Sequence, residues 1–335
     1  MKSKILIYGA SGYMGKLFTR YAKSLHLPIV LGSRSTIDSK EEQRIFSLED
    51  VNTIIRNLHD IKLVVNLAGP FSVTQQNFLE ACSRTKTHYT DIAGEAREFE
   101  SAYAFNEQAK ANNIMIMPGA GFGVVATDIA ATLAHHKLPD ATHLSIAYLT
   151  IGGASRGTLK TVLKDINREG IIVEKGKAAS AMPATKDWSM VAEGKKYRVI
   201  LNPWRGDLFT ARLSTNIPNI QTFSNFPSFV ESMMKGKLLW LRDLLLNRLI
   251  GFLPEGPSEK ALQKGKTFVY AEVRNAKNQS ASVSIQGPEA YAFTAQTLGI
   301  ISREILQDNW KPGFQTPAIY GESILNSPFN NITIE

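Results

Sequence analysis

Over the first 118 residues, short apolar runs alternate with segments whose apolar positions recur at helical spacing. The runs KILIY (4–8), PIVLG (28–32), KLVVNLA (62–68), HYTDIA (88–93) and IMIMP (114–118) predict buried strands. Between them, residues 14–25 place Leu17, Tyr21 and Leu25 on one helical face, and VNTIIRNLHD (51–60) reads as a second helix. FSVTQQNFLEACSRT (71–85) turns Phe71, Phe78, Leu79 and Cys82 inward, and EAREFESAYAFNEQAKANN (95–113) continues the series. Strands that alternate with helices in this way predict a parallel sheet covered on both faces, a doubly wound α/β fold.

From residue 128 the pattern changes. A helix in TDIAATLAHHK leads into ATHLSIAYLTIGG, where Leu144, Ile146, Tyr148 and Thr150 alternate as in a half-buried strand. A helix in RGTLKTVLKDINREG and a strand in KKYRVIL (195–201) follow, and then TFVYAEVRN and SASVSIQG read as an antiparallel pair about the turn AKNQ. These features predict a second, mixed α/β domain. The expected division is 1–127 and 128–288, the second part serving substrate binding and dimerisation. The helix EAYAFTAQTLGIISREIL, with Tyr291, Ala295, Leu298 and Ile301–Ile305 on one side, is expected to return with the tail (289–335) to the first domain. SFVESMMKGKLLWLRDLLLNRLIGFLP (228–254) is apolar over a wide arc, with Arg242, Asp243, Asn247 and Arg248 as a narrow polar side. Such a helix is expected in a core or at a homodimer interface. A membrane-surface helix or an acyl-substrate wall is the alternative, given Lys235, Lys237, Arg242 and Arg248.

With 335 residues, 44% hydrophobic and 20% charged, the chain has room for two cores and the composition of a globular protein. One cysteine, Cys82, excludes an internal disulfide and a multi-cysteine metal site. MKSKILIYG has too short an apolar run for a signal peptide, and no eighteen-residue apolar stretch follows, so a cytoplasmic location is the expectation. The net charge of +8 suits an anionic ligand. Its basic residues are dispersed and accompany no nucleic-acid motif, so no nucleic-acid partner is expected.

The first apolar run ends in GASGYMG, with glycines at 9, 12 and 15 before a helix. In that context the first glycine permits a tight turn, the second lets backbone approach a pyrophosphate, and the third allows close helix-to-strand packing. The helix start offers N–H groups and positive dipole to phosphates. Gly9, Ser11, Gly12, Tyr13, Met14 and Gly15 are therefore candidate cofactor residues in a Rossmann-type domain. The second strand ends in LGSRST, with Ser33, Arg34 and Ser35 and no acid before Asp38. A basic residue there favours the 2′-phosphate of NADP(H) over the ribose hydroxyl of NAD(H). In NLAGPF, Ala68, Gly69 and Pro70 stand where backbone would flank ribose and nicotinamide, or form a plain strand-to-helix turn.

Other chemistries are absent. No tyrosine has a lysine four residues on, and His135 and His136 are adjacent and point to different helix faces. GASGYMGK, LGSRS, VVNLAGPF, EACSRTKTHYTDIAGE and PGAGFGVVATD, in this order, resemble the saccharopine dehydrogenase-like oxidoreductase family. GGASRGTLK, GPSE (256–259) and GFQTPAIYG resemble its trans-acting enoyl reductase branch in particular, although Gly123 stands where that branch often carries an acidic residue. The resemblance implies an NADP(H)-binding Rossmann domain joined to an α/β domain that shapes the substrate pocket, and reduction of an enoyl or imine group. The rival reading is a non-catalytic NADP(H)-binding redox sensor or interaction protein.

Hydride transfer needs a proton donor or acceptor beside the cofactor's own chemistry. Asp91 and Glu95 stand at the carboxyl end of a strand, where open α/β sheets bind ligands. Asp91 is the candidate catalytic residue, against the alternative that it caps the turn while Glu95 favours the next helix start; Tyr89 reads as core. Pro118–Phe122 is either a loop with room for nicotinamide or a domain joint. Ser155–Thr158 either receives an anionic substrate group or caps its helix. No metal site is expected.

Overall fold

The computed structural model describes residues 2–164, 166–326 and 332–335. The chain divides into two compact units: one runs to Val125 and resumes at Tyr291, and the other takes Ala126–Ala290 with the final strand.

The first unit begins β1 (Lys4–Tyr8), α1 (Tyr13–Ser24), β2 (Ile29–Ser33), β3 (Gln43–Ile45), α2 (Val51–Arg56), β4 (Ile61–Asn66) and α3 (Phe71–Thr85). It continues through β5 (His88–Asp91), α4 (Ala96–Tyr103), α5 (Asn106–Ala111), β6 (Met115–Met117) and the start of α6 (Phe122–Lys137). β1 lies between β2 and β4, with Ile7 opposite Leu31 on one side and Val65 on the other. Ile5, Leu6 and Ile7 are all fully buried. Burial on both faces is why this strand reads as an unbroken apolar run.

Two features here differ from the sequence reading. The helix expected over 95–113 is two, broken where Phe105 N–H turns to the Ala102 carbonyl as its ring goes inward. The edge strand β3 was not expected, because its one apolar residue, Ile45, faces solvent. β3 is held instead by ions: the buried Arg44 guanidinium lies 2.7 Å from Asp60 and 2.9 Å from Glu42, and Lys4 joins both carboxylates.

The second unit contains β7 (Ala141–Ile151), α7 (Arg156–Lys164), β8 (Gly170–Glu174), β9 (Lys177–Ala181), β10 (Asp187–Ala192), β11 (Lys195–Leu201), α8 (Asp207–Thr215) and β12 (Asn219–Ser224). After α9 (Ser228–Met234), α10 (Leu239–Leu244) and α11 (Glu259–Lys264) come β13 (Lys266–Asn275) and β14 (Ser280–Pro288). α12 (Ala290–Leu306) leads to β15 (Gly313–Phe314) in the first unit and β16 (Thr333–Ile334) in the second. The second sheet runs β10-β11-β12-β7-β13-β14-β16, with β8 and β9 off this path. It is mixed: β7 is parallel to β12 and antiparallel to β13.

β7 keeps its predicted inward face only at Leu144 and Ile146. Farther on, Ala147 and Leu149 are buried instead, because their face meets a core formed with Ile172, Met190, Val199 and Phe268. The segment 228–254 is not one buried helix. It breaks after α9 at Leu238, which has a left-handed backbone, and α10 gives way to π- and 3-10 turns. Met233, Met234 and Ile250 pack inward, whereas Trp240 is 65% and Phe252 88% exposed. The expected polar side is described at Arg242, Asp243 and Arg248; the Asn247 side chain lies outside the described residues.

Candidate cofactor and active site

The first sheet is ordered β15-β6-β5-β4-β1-β2-β3, and every pairing in it is parallel. Its order reverses between β1 and β4, the place where open α/β sheets bind ligands at their carboxyl edge. The glycine turn leaves β1 at that reversal. Gly9 has φ +87°, and a Cβ on it would lie 2.7 Å from Ala68 N. The turn therefore packs directly on the loop after β4. Gly12 donates its N–H to the Gly9 carbonyl at 3.0 Å and caps α1 without a side chain. A Cβ on Gly15 would come within 2.2 Å of the Gly9 oxygen, so only glycine lets α1 lie this close to β1. Ser11 is exposed, Met14 is buried beneath the turn, and Tyr13 meets Tyr291 edge-on at 5.3 Å.

β2 ends beside this turn, its Gly32 carbonyl accepting from Gly9 N–H at 2.9 Å. Ser33 is buried and its hydroxyl donates to the Ser35 carbonyl, which fixes the bend, while Arg34 and Ser35 are exposed. No carboxylate belongs to this bend; Asp38 comes three residues after Ser35.

The loop after β4 is organised by buried side chains. Asn66 accepts from Ala68 N–H at 3.1 Å and donates to Thr74 and to the Tyr89 hydroxyl, both at 3.1 Å; Thr74 in turn donates to the Ala68 carbonyl at 2.7 Å. Tyr89 passes the chain on, donating to Asp91 at 2.8 Å. Asp91, fully buried, also accepts from Gln75 at 2.9 Å, Ala93 N–H at 2.9 Å and Gly119 N–H at 3.0 Å. Burial pushes its carboxyl above the ordinary range, and these donors oppose that shift. With both oxygens engaged, Asp91 ties α3 to the loops that follow β5 and β6, and reaches the loop after β4 only through Tyr89 and Asn66. Gly69 and Pro70 themselves are exposed, and open space surrounds Gly69 where a side chain would stand.

The remaining loops are occupied by the protein itself. A Cβ on Gly119 would strike the Phe99 ring at 2.5 Å, and one on Gly121 would meet Thr294 at 3.0 Å. Phe122 N–H donates to Thr294 and Thr297 donates to the Ala120 carbonyl, so α12 fixes this loop. Ser155 accepts from Thr158 N–H at 3.2 Å, which is helix capping, and Arg156 reaches the Gly251 carbonyl and Glu255.

The sequence reading passed over Glu98. α4 turns Phe99 and Ala102 inward, which leaves Glu98 on the flank of the buried face. It lines a cavity of about 120 Å³ with Phe71, Ser72, Gln75, Gln76 and Ser101. Burial first, then Glu95 and Asp91, push its carboxyl up to about 7.

Residues 5–117 match the family model of the saccharopine dehydrogenase NADP binding domain. The first unit carries that NADP-binding domain. A saccharopine dehydrogenase-like oxidoreductase of Bos taurus is 21% identical over 180 residues, 46% of this chain and 42% of that protein. A protein of Mycobacterium tuberculosis (strain ATCC 25618 / H37Rv) named as a trans-acting enoyl reductase is 24% identical over 187 residues, 48% of this chain and 43% of its own length. These matches take in less than half the length of each relative. Among solved structures, apo saccharopine dehydrogenase (L-Glu forming) from Saccharomyces cerevisiae aligns over 99% of this chain and 100% of its own, with TM-score 0.64 and 12% identity. A meso-DAP dehydrogenase variant from Clostridium tetani aligns over 98% and 97%, with TM-score 0.52 and 14% identity. The structural likeness shows the saccharopine dehydrogenase fold in both units, and NADP(H) is the cofactor of the first.

The residues present fit that cofactor. The glycine turn keeps side chains out of the path of a pyrophosphate, the β2 bend offers a cation without an opposing carboxylate, and Gly69 leaves backbone open.

Among the described residues, no group of three or more His, Cys, Asp or Glu could hold a metal ion, and no helix is long and apolar enough to cross a membrane.

Proposed function

We propose that the protein is an NADP(H)-dependent oxidoreductase that reduces an enoyl or imine group of a small-molecule substrate. The observation that carries this reading is the glycine turn lying beside a β2 bend that presents Arg34 and no acid. Gly9, Ser11, Gly12, Tyr13, Met14 and Gly15 form the seat of the pyrophosphate: the N–H groups of Gly9 and Gly12 close the turn itself, and the start of α1 turns its dipole to the phosphates. Ser33, Arg34 and Ser35 take the 2′-phosphate, and Ala68, Gly69 and Pro70 flank the ribose and nicotinamide. When bound, the cofactor supplies the hydride. The names of the M. tuberculosis relative and of the yeast structure support the choice between enoyl and imine chemistry. Asp91 serves this reading by fixing the loops, not by moving a proton.

The test begins with nucleotide titration followed by thermal shift, since a ligand stabilises the state it binds. NADPH is expected to raise the Tm more than NADH. Arg34→Ala is expected to weaken NADPH binding by about tenfold or more and leave NADH nearly unchanged. Equal losses would end the 2′-phosphate assignment. NADPH consumption is then followed with a panel of enoyl thioesters, imines and ketones. Tight NADPH binding without oxidation by any of them would favour the non-catalytic reading.

A further inference from the structure

A dinucleotide bound across the β1/β4 reversal, with its adenosine end at Arg34 beyond β2, lays its nicotinamide half toward the carboxyl ends of β4 and β5. The 120 Å³ cavity lies on that side, between the first two turns of α3 and of α4. Phe71 and Ser72 in its wall follow Pro70 directly, so it begins where the open Gly69-Pro70 loop ends. Its volume admits a few heavy atoms, the size of an acyl or imine head rather than of a whole substrate.

Glu98 stands apart from the other polar groups of this wall. The Gln75 amide is spent on Asp91, and the Ser101 hydroxyl donates to Gln76. Glu98 Oε2 is buried and has no hydrogen-bond partner. Leaving a buried acceptor unmatched costs about 1–3 kcal/mol, which a purely structural side chain has no reason to bear. The charged groups acting on it are Asp91 from β5, Glu95 from the preceding loop and Arg97 from α4; α3 presents only Ser72, Gln75 and Gln76. Burial and the two carboxyls outweigh its own backbone N–H and Arg97, so Glu98 titrates at about 7 and a large share of it still carries its proton at neutral pH.

We infer that Glu98, in the cavity beside the Gly69-Pro70 loop, faces the nicotinamide and donates the proton that completes the reduction. The inference rests on the NADP(H) oxidoreductase reading. A hydride leaves the dihydronicotinamide for the carbon of the C=C or C=N group, the cofactor is oxidised, and the π pair moves to the neighbouring atom. That atom takes the Glu98 proton, and the resulting carboxylate regains a proton from water.

The test needs no substrate. NADP⁺ and NADPH differ at the ring, where only the oxidised form is cationic. A cation within about 4–6 Å favours a carboxylate by one or more pKa units. The ratio Kd(NADP⁺)/Kd(NADPH), measured by calorimetry from about pH 6 to about pH 8.5, is therefore expected to fall about tenfold as Glu98 ionises. Titration of the 2′-phosphate is common to both nucleotides and cancels. Glu98→Gln keeps the shape of the side chain and is expected to make the ratio flat. A flat ratio in the unaltered protein, or an unchanged slope in Glu98→Gln, overturns the inference while leaving NADP(H) binding intact. Failure of both nucleotides to bind overturns the NADP(H) reading and the inference with it. Carboxyl ¹³C NMR of the unaltered protein is the second measurement. A glutamate titrating near 7, moved down by NADP⁺ and not by NADPH, supports the assignment; its absence refutes it.

Discussion

The two halves of the first sheet's carboxyl edge are built on different principles. At β1 and β2 the turn is made of backbone: glycines at 9, 12 and 15 stand where side chains would collide or intrude. At β4, β5 and β6 the loops hang on buried side chains, Asn66, Tyr89 and Asp91, each bonded to the next. A phosphate is satisfied by N–H groups and a dipole, which any sequence with the right glycines supplies. A reacting ring needs fixed walls, and fixed walls require a satisfied polar network. The first half withholds side chains, and the second depends on them.

Substitution separates the two principles most sharply at Gly15. Gly15→Ala places a Cβ 2.2 Å from one backbone atom and 2.6 Å from another, neither able to yield. A stability loss of about 3 kcal/mol or more is expected in urea unfolding; a loss below about 1 kcal/mol would mean that the turn is more plastic than described. Asp91→Ala comes next. It strands the Gln75 amide, the Tyr89 hydroxyl and the N–H groups of Ala93 and Gly119, with an expected loss of about 3 kcal/mol. Asp91→Asn should lose less, because its carbonyl oxygen still accepts.

A smaller effect is expected at the opposite edge of the sheet, in the ion cluster around β3. Burial would raise the Asp60 carboxyl, but bonds from Arg44 and Lys4 outweigh it and hold the group at about 2, below its ordinary 3.8. A depressed acid stabilises the fold above its unfolded pKa, and that contribution disappears as the pH falls from about 4 to about 2. Asp60→Asn should therefore cost about 1 kcal/mol at neutral pH, after allowance for partial exposure, and lose less stability than the parent on acidification. Smallest of all on stability is Arg34→Ala, exposed and expected within about 0.5 kcal/mol of the parent despite its effect on NADPH.

What could be read before folding follows the same division. Gly9, Gly12 and Gly15 act on neighbours within one turn, so their spacing carries their meaning. The Asn66–Tyr89–Asp91 chain exists only because β4 and β5 pair in the register that sets Asn66 opposite Asp91, a relation between residues 25 apart. Tyr89 was legible as core but not as a relay, and Asp91 was legible as a carboxylate at a strand end but not as one with four donors. β1, β4 and α3 were visible because their apolar pattern is dense. β3 was hidden because ion pairs, not apolar contacts, hold it. In 228–254 the apolar composition did not reveal the breaks around Leu238 and after α10, nor that Trp240 and Phe252 stand outside this chain's own core.

The pairing of β15 with β6 bears on the order in which the chain can fold. Gly313 and Phe314 cover the edge of a strand that ends at Met117, and they leave the ribosome roughly 200 residues later. At a synthesis rate of about 5–20 residues per second, β6 waits about 10–40 s with its backbone edge open. During that interval the nascent sheet has a strand edge to protect. Folding factors that shield such edges would matter most to this protein while it is still being made.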